Sequence, residues 1–115
     1  MNQEEFVSAI KVAVGESACK SVLATLIEPP GREPDSKLII MSNWYNNLDE
    51  VSKVMIQNII RESVNMTIFG FMCVLDGVRA IENGKDKGRL NLNYEKNGIN
   101  QSLNGKDDDY LHDLL

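Results

Sequence analysis

The chain has 115 residues, of which 43% are hydrophobic and 25% charged, and a formal net charge of −5. Those proportions belong to a folded, soluble protein rather than a disordered one, and the length predicts one domain, 1–115, with a modest core. An acidic balance excludes the clustered Lys and Arg on which nucleic-acid and anionic-membrane binding rest, and leaves room for a basic protein partner.

Residues 3–14 read as a helix, with Phe6, Val7, Ile10 and Val14 at helical spacing and Glu4 and Glu5 in the first turn, where carboxylates favour the positive helix end. Residues 16–27 carry a second stripe of Ala18, Cys19, Val22, Leu23, Leu26 and Ile27 that points roughly opposite to the first, so either the helix breaks or kinks at Gly15, which is the expectation, or one long helix is buried on different sides along its length. The stretch EPPGREP, 28–34, cannot continue a helix. Asp35 or Ser36 then caps a third helix whose apolar set is Leu38, Ile39, Met41 or Ser42, and Tyr45, and which ends in NWYNNLDE. Asp49 caps the segment that follows.

That segment, Glu50 to about Asn83, begins with a stripe of Val51, Met55, Ile59 or Ile60, and Met66. From Val64 to Leu75 apolar residues cover every side, the pattern of an enclosed helix. The run falls well short of the ~20 residues of a membrane span. It predicts a central buried helix in which Gly70 and Gly77 admit close neighbours, with Gly84 as the left-handed terminator. The helical part therefore extends over about 3–83.

The period then changes to two. Leu90, Leu92 and Tyr94 alternate with polar residues, and Asn97-Gly98 marks a two-residue hairpin turn. Over about 89–104, Lys96 should face Ile99, Tyr94 face Gln101 and Leu92 face Leu103. Leu90, Leu92, Tyr94, Ile99 and Leu103 would share one face. An aspartate-capped helix at about 108–114 would dock through Tyr110, Leu111, Leu114 and Leu115.

Few residues suggest chemistry. No glycine-rich phosphate loop occurs, and no cofactor or metal is expected. Cys19 and Cys73 lie in apolar runs and read as reduced, buried thiols of a cytoplasmic protein. The start, Met-Asn-Gln-Glu-Glu, is unlike a secretory signal. Asp76 and Arg79 are i,i+3 neighbours, and His112, the single histidine, has acidic neighbours at Asp108, Asp109 and Asp113. Asp76, Arg79 and His112 form the candidate polar cluster, read as a salt-bridged, solvated set unless they converge in one cleft. Trp44, Tyr45, Tyr94 and Tyr110 are candidate interaction residues, since Trp and Tyr are enriched at binding hot spots. Phe69, Phe71, Met72 and Trp44 would line an apolar pocket if the protein binds a small molecule.

SNWYNNLDE, FGFMCVLDGVRAIENG…KG and LHDLL resemble segments of small bacterial proteins carried in mobile gene cassettes and in toxin–immunity neighbourhoods. The likeness runs from Pro29 onward and brings no catalytic residue with it. It implies a bacterial accessory protein that binds another protein. The expected architecture is α+β and predominantly helical: about four helices around the buried one, a C-terminal β-hairpin and a short terminal helix. A long enclosed helix in so small a chain also points to a homodimer.

Overall fold

The computed structural model describes residues 1–115 and is a helix-dominated α+β protein. Its elements are α1 (Gln3–Ile10), a π-helical segment (Lys11–Glu16), α2 (Ser17–Ile27), α3 (Ser36–Asn46), α4 (Glu50–Leu75), the antiparallel pair β1 (Asn93–Lys96) and β2 (Ile99–Ser102), and a terminal 3-10 turn (Leu111–Leu114). Two compact units emerge: Met1–Ala13 with Met66–Leu115, and Val14–Asn65.

Residues 3–27 are helical throughout. The change of apolar face near Gly15 is met by the π segment, whose i→i+5 bonding widens the turn and re-phases the side chains that follow. Val7 is buried before it, and Cys19 and Leu26 after it. Asn2 and Glu5 close a reciprocal capping box at the start of α1: the Glu5 N–H donates to Asn2 Oδ1 at 2.8 Å, and the Asn2 N–H to Glu5 Oε2 at 2.9 Å.

In the first unit, Val7, Met72 and Leu111 form the core, with Phe6, Ile10, Ile68, Leu75, Leu92 and Leu114 packed around them. The hairpin has the expected register, with Tyr94 opposite Gln101 and Lys96 opposite Ile99. The Leu103 N–H donates to the Leu92 carbonyl at 2.8 Å. Asn97 and Gly98 take φ of 54° and 77°, as a type I′ turn requires. Of the shared apolar face only Leu103 is fully buried; Leu92 and Tyr94 are half-buried, and Leu90 and Ile99 face solvent.

In the second unit, α2 lies against α3, and Ser42 and Tyr45 on α3 are buried. Asp35 caps α3 through the Lys37 N–H at 2.9 Å. Asp49 caps α4 through the Ser52 N–H at 2.7 Å, and that bond holds its carboxyl below the usual range. Arg61 of α4 grips Glu16 with both guanidinium nitrogens, at 2.9 and 3.3 Å. This hydrogen bonding, and then the Arg61 charge, lowers the Glu16 pKa.

Helix α4 departs from expectation twice. It ends at Leu75, not near Asn83. Gly77, not Gly84, is its terminator, with φ of +77°. The Gly77 N–H donates to the Val74 carbonyl at 3.1 Å and the Val78 N–H to the Cys73 carbonyl at 3.0 Å, the paired bonds of a Schellman cap. Gly77 therefore serves no helix packing, and Gly70 is covered by the Arg79 guanidinium instead of a neighbouring helix. The burial of Val64–Leu75 is also one-sided. Gly70, Met72 and Cys73 are enclosed, while Met66, Phe69 and Phe71 remain exposed. Periodicity identifies a face; it does not say what covers it.

Gly77→Ala is expected to cost about 1–2 kcal/mol, the penalty for a side chain in the left-handed region. Gly88→Ala, where φ is ordinary, should stay within about 0.5 kcal/mol; urea unfolding of both variants checks this. The Glu16 carboxyl is held low, so its contribution to stability is complete above the unfolded-state pKa and is lost as pH falls through the folded one. Arg61→Met should raise the Glu16 titration midpoint in an NMR pH series back to the range of a free glutamate.

Candidate functional site

The Schellman cap leaves Asp76 as the last residue of α4's turn, with its side chain only 1% exposed. A carboxylate at the negative end of a helix, out of water, is doubly unfavourable unless donors surround it. Three do. The Leu111 N–H donates to Oδ1 at 2.8 Å, the His112 N–H to Oδ2 at 2.9 Å, and His112 Nδ1 lies 2.7 Å from Oδ2. A carboxylate only accepts, so Nδ1 carries the proton. Asp76 thus caps the terminal 3-10 turn from 35 positions away in sequence.

This replaces the expected aspartate cap and shortens the expected 108–114 helix to Leu111–Leu114. Asp108 is used elsewhere, accepting the Gly105 N–H at 2.7 Å. His112 is held from every side. Its ring stacks on Tyr110 with centroids 5.2 Å apart and meets the edge of Phe69 at 5.5 Å, and its Nε2 lies 3.3 Å from Asp113 Oδ1.

A second polar hub lies beside it. The buried Asn104 side chain donates to the carbonyls of Leu75 at 2.6 Å and Leu90 at 2.9 Å, and its Oδ1 accepts the Leu92 N–H at 2.8 Å. Arg89 donates to the Asn104 carbonyl. Gln3 donates to the carbonyls of Leu103 at 2.8 Å and Asp109 at 2.6 Å, tying α1 to the far end of the sequence. No buried polar side-chain atom is left without a partner.

Of the candidate polar cluster, Asp76 and His112 therefore converge, and Arg79 extends over Gly70. The pair has the carboxylate–imidazole geometry that orients a general base. Its outer nitrogen, however, faces a carboxylate, not a hydroxyl or thiol to be activated. No group of three or more His, Cys, Asp or Glu side chains is placed to hold a metal ion. What this arrangement does chemically is clamp the terminal turn.

The candidate interaction residues separate. Trp44 and Tyr110 are exposed, and Tyr94 is half-buried. Tyr45 is buried: its hydroxyl accepts from Gln57 Nε2 at 3.1 Å and Lys53 lies 5.8 Å above its ring, so it belongs to the core of the second unit. Of the residues expected to line a small-molecule pocket, Phe69 and Phe71 are exposed and Met72 is core in the first unit, and Trp44 is exposed in the second.

The feature that sequence reading missed lies on α3 and α4. Ile40, Met41 and Trp44 are exposed on α3. Val51, Val54, Met55 and Ile59, at i, i+3, i+4 and i+8 of α4, are each more than half exposed. The stripe itself was legible; its orientation away from the protein's own core was not. No helix is long and apolar enough to cross a membrane.

Asp76→Asn keeps the size of the side chain but sets an amide N–H₂ against donors. It should cost about 3 kcal/mol in urea unfolding and speed hydrogen exchange at the Leu111 and His112 amides. Asp113→Asn, at an exposed carboxylate, should cost less than about 0.5 kcal/mol.

No family model matches this chain, and no curated protein or solved structure does so either.

Proposed function

We propose that this protein is a non-enzymatic protein-binding module, an immunity- or adaptor-type accessory of the bacterial cytoplasm. The observation that carries the reading is the apolar exterior of the second unit: Ile40, Met41 and Trp44 on α3, and Val51, Val54, Met55 and Ile59 on α4. Soluble proteins scatter single apolar residues over their surfaces, whereas a contiguous stripe of two and more helical turns marks an interaction surface. Trp44 adds the residue type most enriched where binding energy concentrates. The buried, unpaired Cys19 and Cys73 suit a reducing compartment.

An enzymatic role for Asp76 and His112 is less well supported, because both are saturated by the terminal turn and by Asp113. The acidic charge that once suggested a basic partner is also absent from the stripe, which carries no ionisable side chain between Val51 and Ile59 on its face.

The test is photo-crosslinking in cells from a benzoylphenylalanine placed at position 40, 44 or 55, with Lys20 on α2 as the exposed polar control. Discrete protein adducts are expected from the apolar positions and not from the control. Absence of adducts at all three would overturn the reading.

A further inference from the structure

Three Asn-Gly pairs stand in the chain: Asn83-Gly84, Asn97-Gly98 and Asn104-Gly105. An asparagine followed by glycine is open to an intramolecular reaction. Glycine has no side chain to shield its own amide nitrogen, so that nitrogen can reach the side-chain carbonyl carbon of the residue before it. The reaction needs that N–H unbonded, the asparagine side chain unbonded, and the backbone between them free to rotate. The fold treats the three pairs differently.

Asn104-Gly105 is closed off. The Asn104 side chain is buried, its nitrogen donates to the Leu75 and Leu90 carbonyls at 2.6 and 2.9 Å, and its oxygen accepts the Leu92 N–H at 2.8 Å. The Gly105 N–H is occupied as well, donating to Asp108 Oδ2 at 2.7 Å. Asn97-Gly98 is exposed, but Asn97 is set at φ of 54° between strands paired at Lys96 and Ile99, so its backbone rotates only when the end of the hairpin opens. Asn83-Gly84 has neither restraint. It lies in residues 78–92, which contain no helix or strand. Both residues are exposed, and neither the Asn83 side chain nor the Gly84 N–H makes a hydrogen bond. Beyond the adjoining residues, nothing lies within 4 Å of where a side chain on Gly84 would stand. The bond from the Gly88 N–H to the Glu82 carboxylate spans the pair without engaging it.

We propose that Asn83 is a self-modifying site, converting to aspartate and isoaspartate while the fold keeps Asn104 intact. The Gly84 amide nitrogen attacks the Asn83 side-chain carbonyl carbon. The new C–N bond closes a succinimide, and the side-chain nitrogen leaves as ammonia, taking the proton that the backbone amide gives up. Water then opens the ring at either carbonyl, giving aspartate or isoaspartate. Water is the co-reactant, and nothing is oxidised or reduced. Each converted copy carries one negative charge more than the −5 of the unmodified chain. The isoaspartate form also routes the backbone through the former side chain. Neither Asn83 nor Gly84 belongs to the core, so the change is one of surface charge and loop path.

Peptide mapping by mass spectrometry tests this on the full chain incubated at mildly alkaline pH, with electron-transfer fragmentation to tell aspartate from isoaspartate. Asn83 is expected to convert first, at least about tenfold faster than Asn104, whose surroundings must open before either reacting group is free. Both acids are expected at position 83, since the ring opens on both sides. The same incubation in guanidinium chloride should bring the three rates close together, because the ranking comes from the fold and the dipeptide is the same in each. Asn83→Gln should abolish the earliest gain of charge and leave the helical circular dichroism unchanged. Conversion at Asn97 or Asn104 ahead of Asn83 overturns the inference, as does a ranking that persists unchanged in denaturant. An Asn83 that stays intact in the folded chain while a synthetic peptide of residues 79–88 converts overturns it too.

Discussion

A carboxylate buried at the wrong end of a helix organises one half of this protein. Asp76 stands at the C-terminal end of α4, where the helix's own partial charge is negative. Its burial is sustained by two backbone amides and an imidazole, all supplied by Leu111 and His112. In delivering them, the terminal turn brings Leu111 onto Val7 and Met72. The electrostatic need and the apolar core are thus met by the same short segment. Neither is an independent ornament: an unpaired Asp76 would be intolerable, and a free terminal turn would uncover the core.

Asn104 and Gln3 extend the same logic. Each places a side-chain amide among backbone carbonyls that no helix or strand can satisfy. The hairpin has only four residues per strand, and most of its residues face solvent. A pair of strands that size is marginal by itself. Asn104, immediately after Leu103, anchors it by bonding to the last turn of α4 and to both Leu90 and Leu92.

Local chemistry was readable from the residues wherever one short-range interaction decides the outcome. Asp35 and Asp49 cap helices because a carboxylate beside a free amide has no better use. Asn97-Gly98 sets the hairpin register because few other pairs take positive φ twice. The end of α4 was not readable in this way. Val78, Arg79, Ala80, Ile81 and Glu82 suit a helix well enough, and two glycines, Gly77 and Gly84, could each have ended it. The choice is made by tertiary demand, since stopping at Gly77 is what puts Asp76 under the terminal turn. That capping spans 35 positions, and no window of sequence reveals it. Of the candidate site, residue type and local spacing mark Asp76, Arg79 and His112 as a polar cluster, yet the union of Asp76 with His112 is not legible in them. Tyr45 stands both on the apolar stripe of α3 and among the candidate interaction residues, and residue type does not choose between the two; its ring goes inward and Trp44 outward, one residue apart. The exposed stripe on α4 shows the same limit: spacing says which residues share a side, and only the folded chain says whether that side is already occupied.

The order of the two units along the chain has a kinetic consequence. Val14–Asn65 is one uninterrupted stretch, whereas the other unit is assembled from Met1–Ala13 and Met66–Leu115. During synthesis the contiguous stretch can condense as soon as Asn65 has emerged from the ribosome. Val7 must wait for Met72 and Leu111, which close loops across most of the chain's length. Until then α1 is a lone amphipathic segment with nothing to cover its apolar side, short enough to be only marginally helical in water. There is therefore a stage of synthesis at which every residue of one unit has been made while the other has its first segment waiting and its closing turn not yet made.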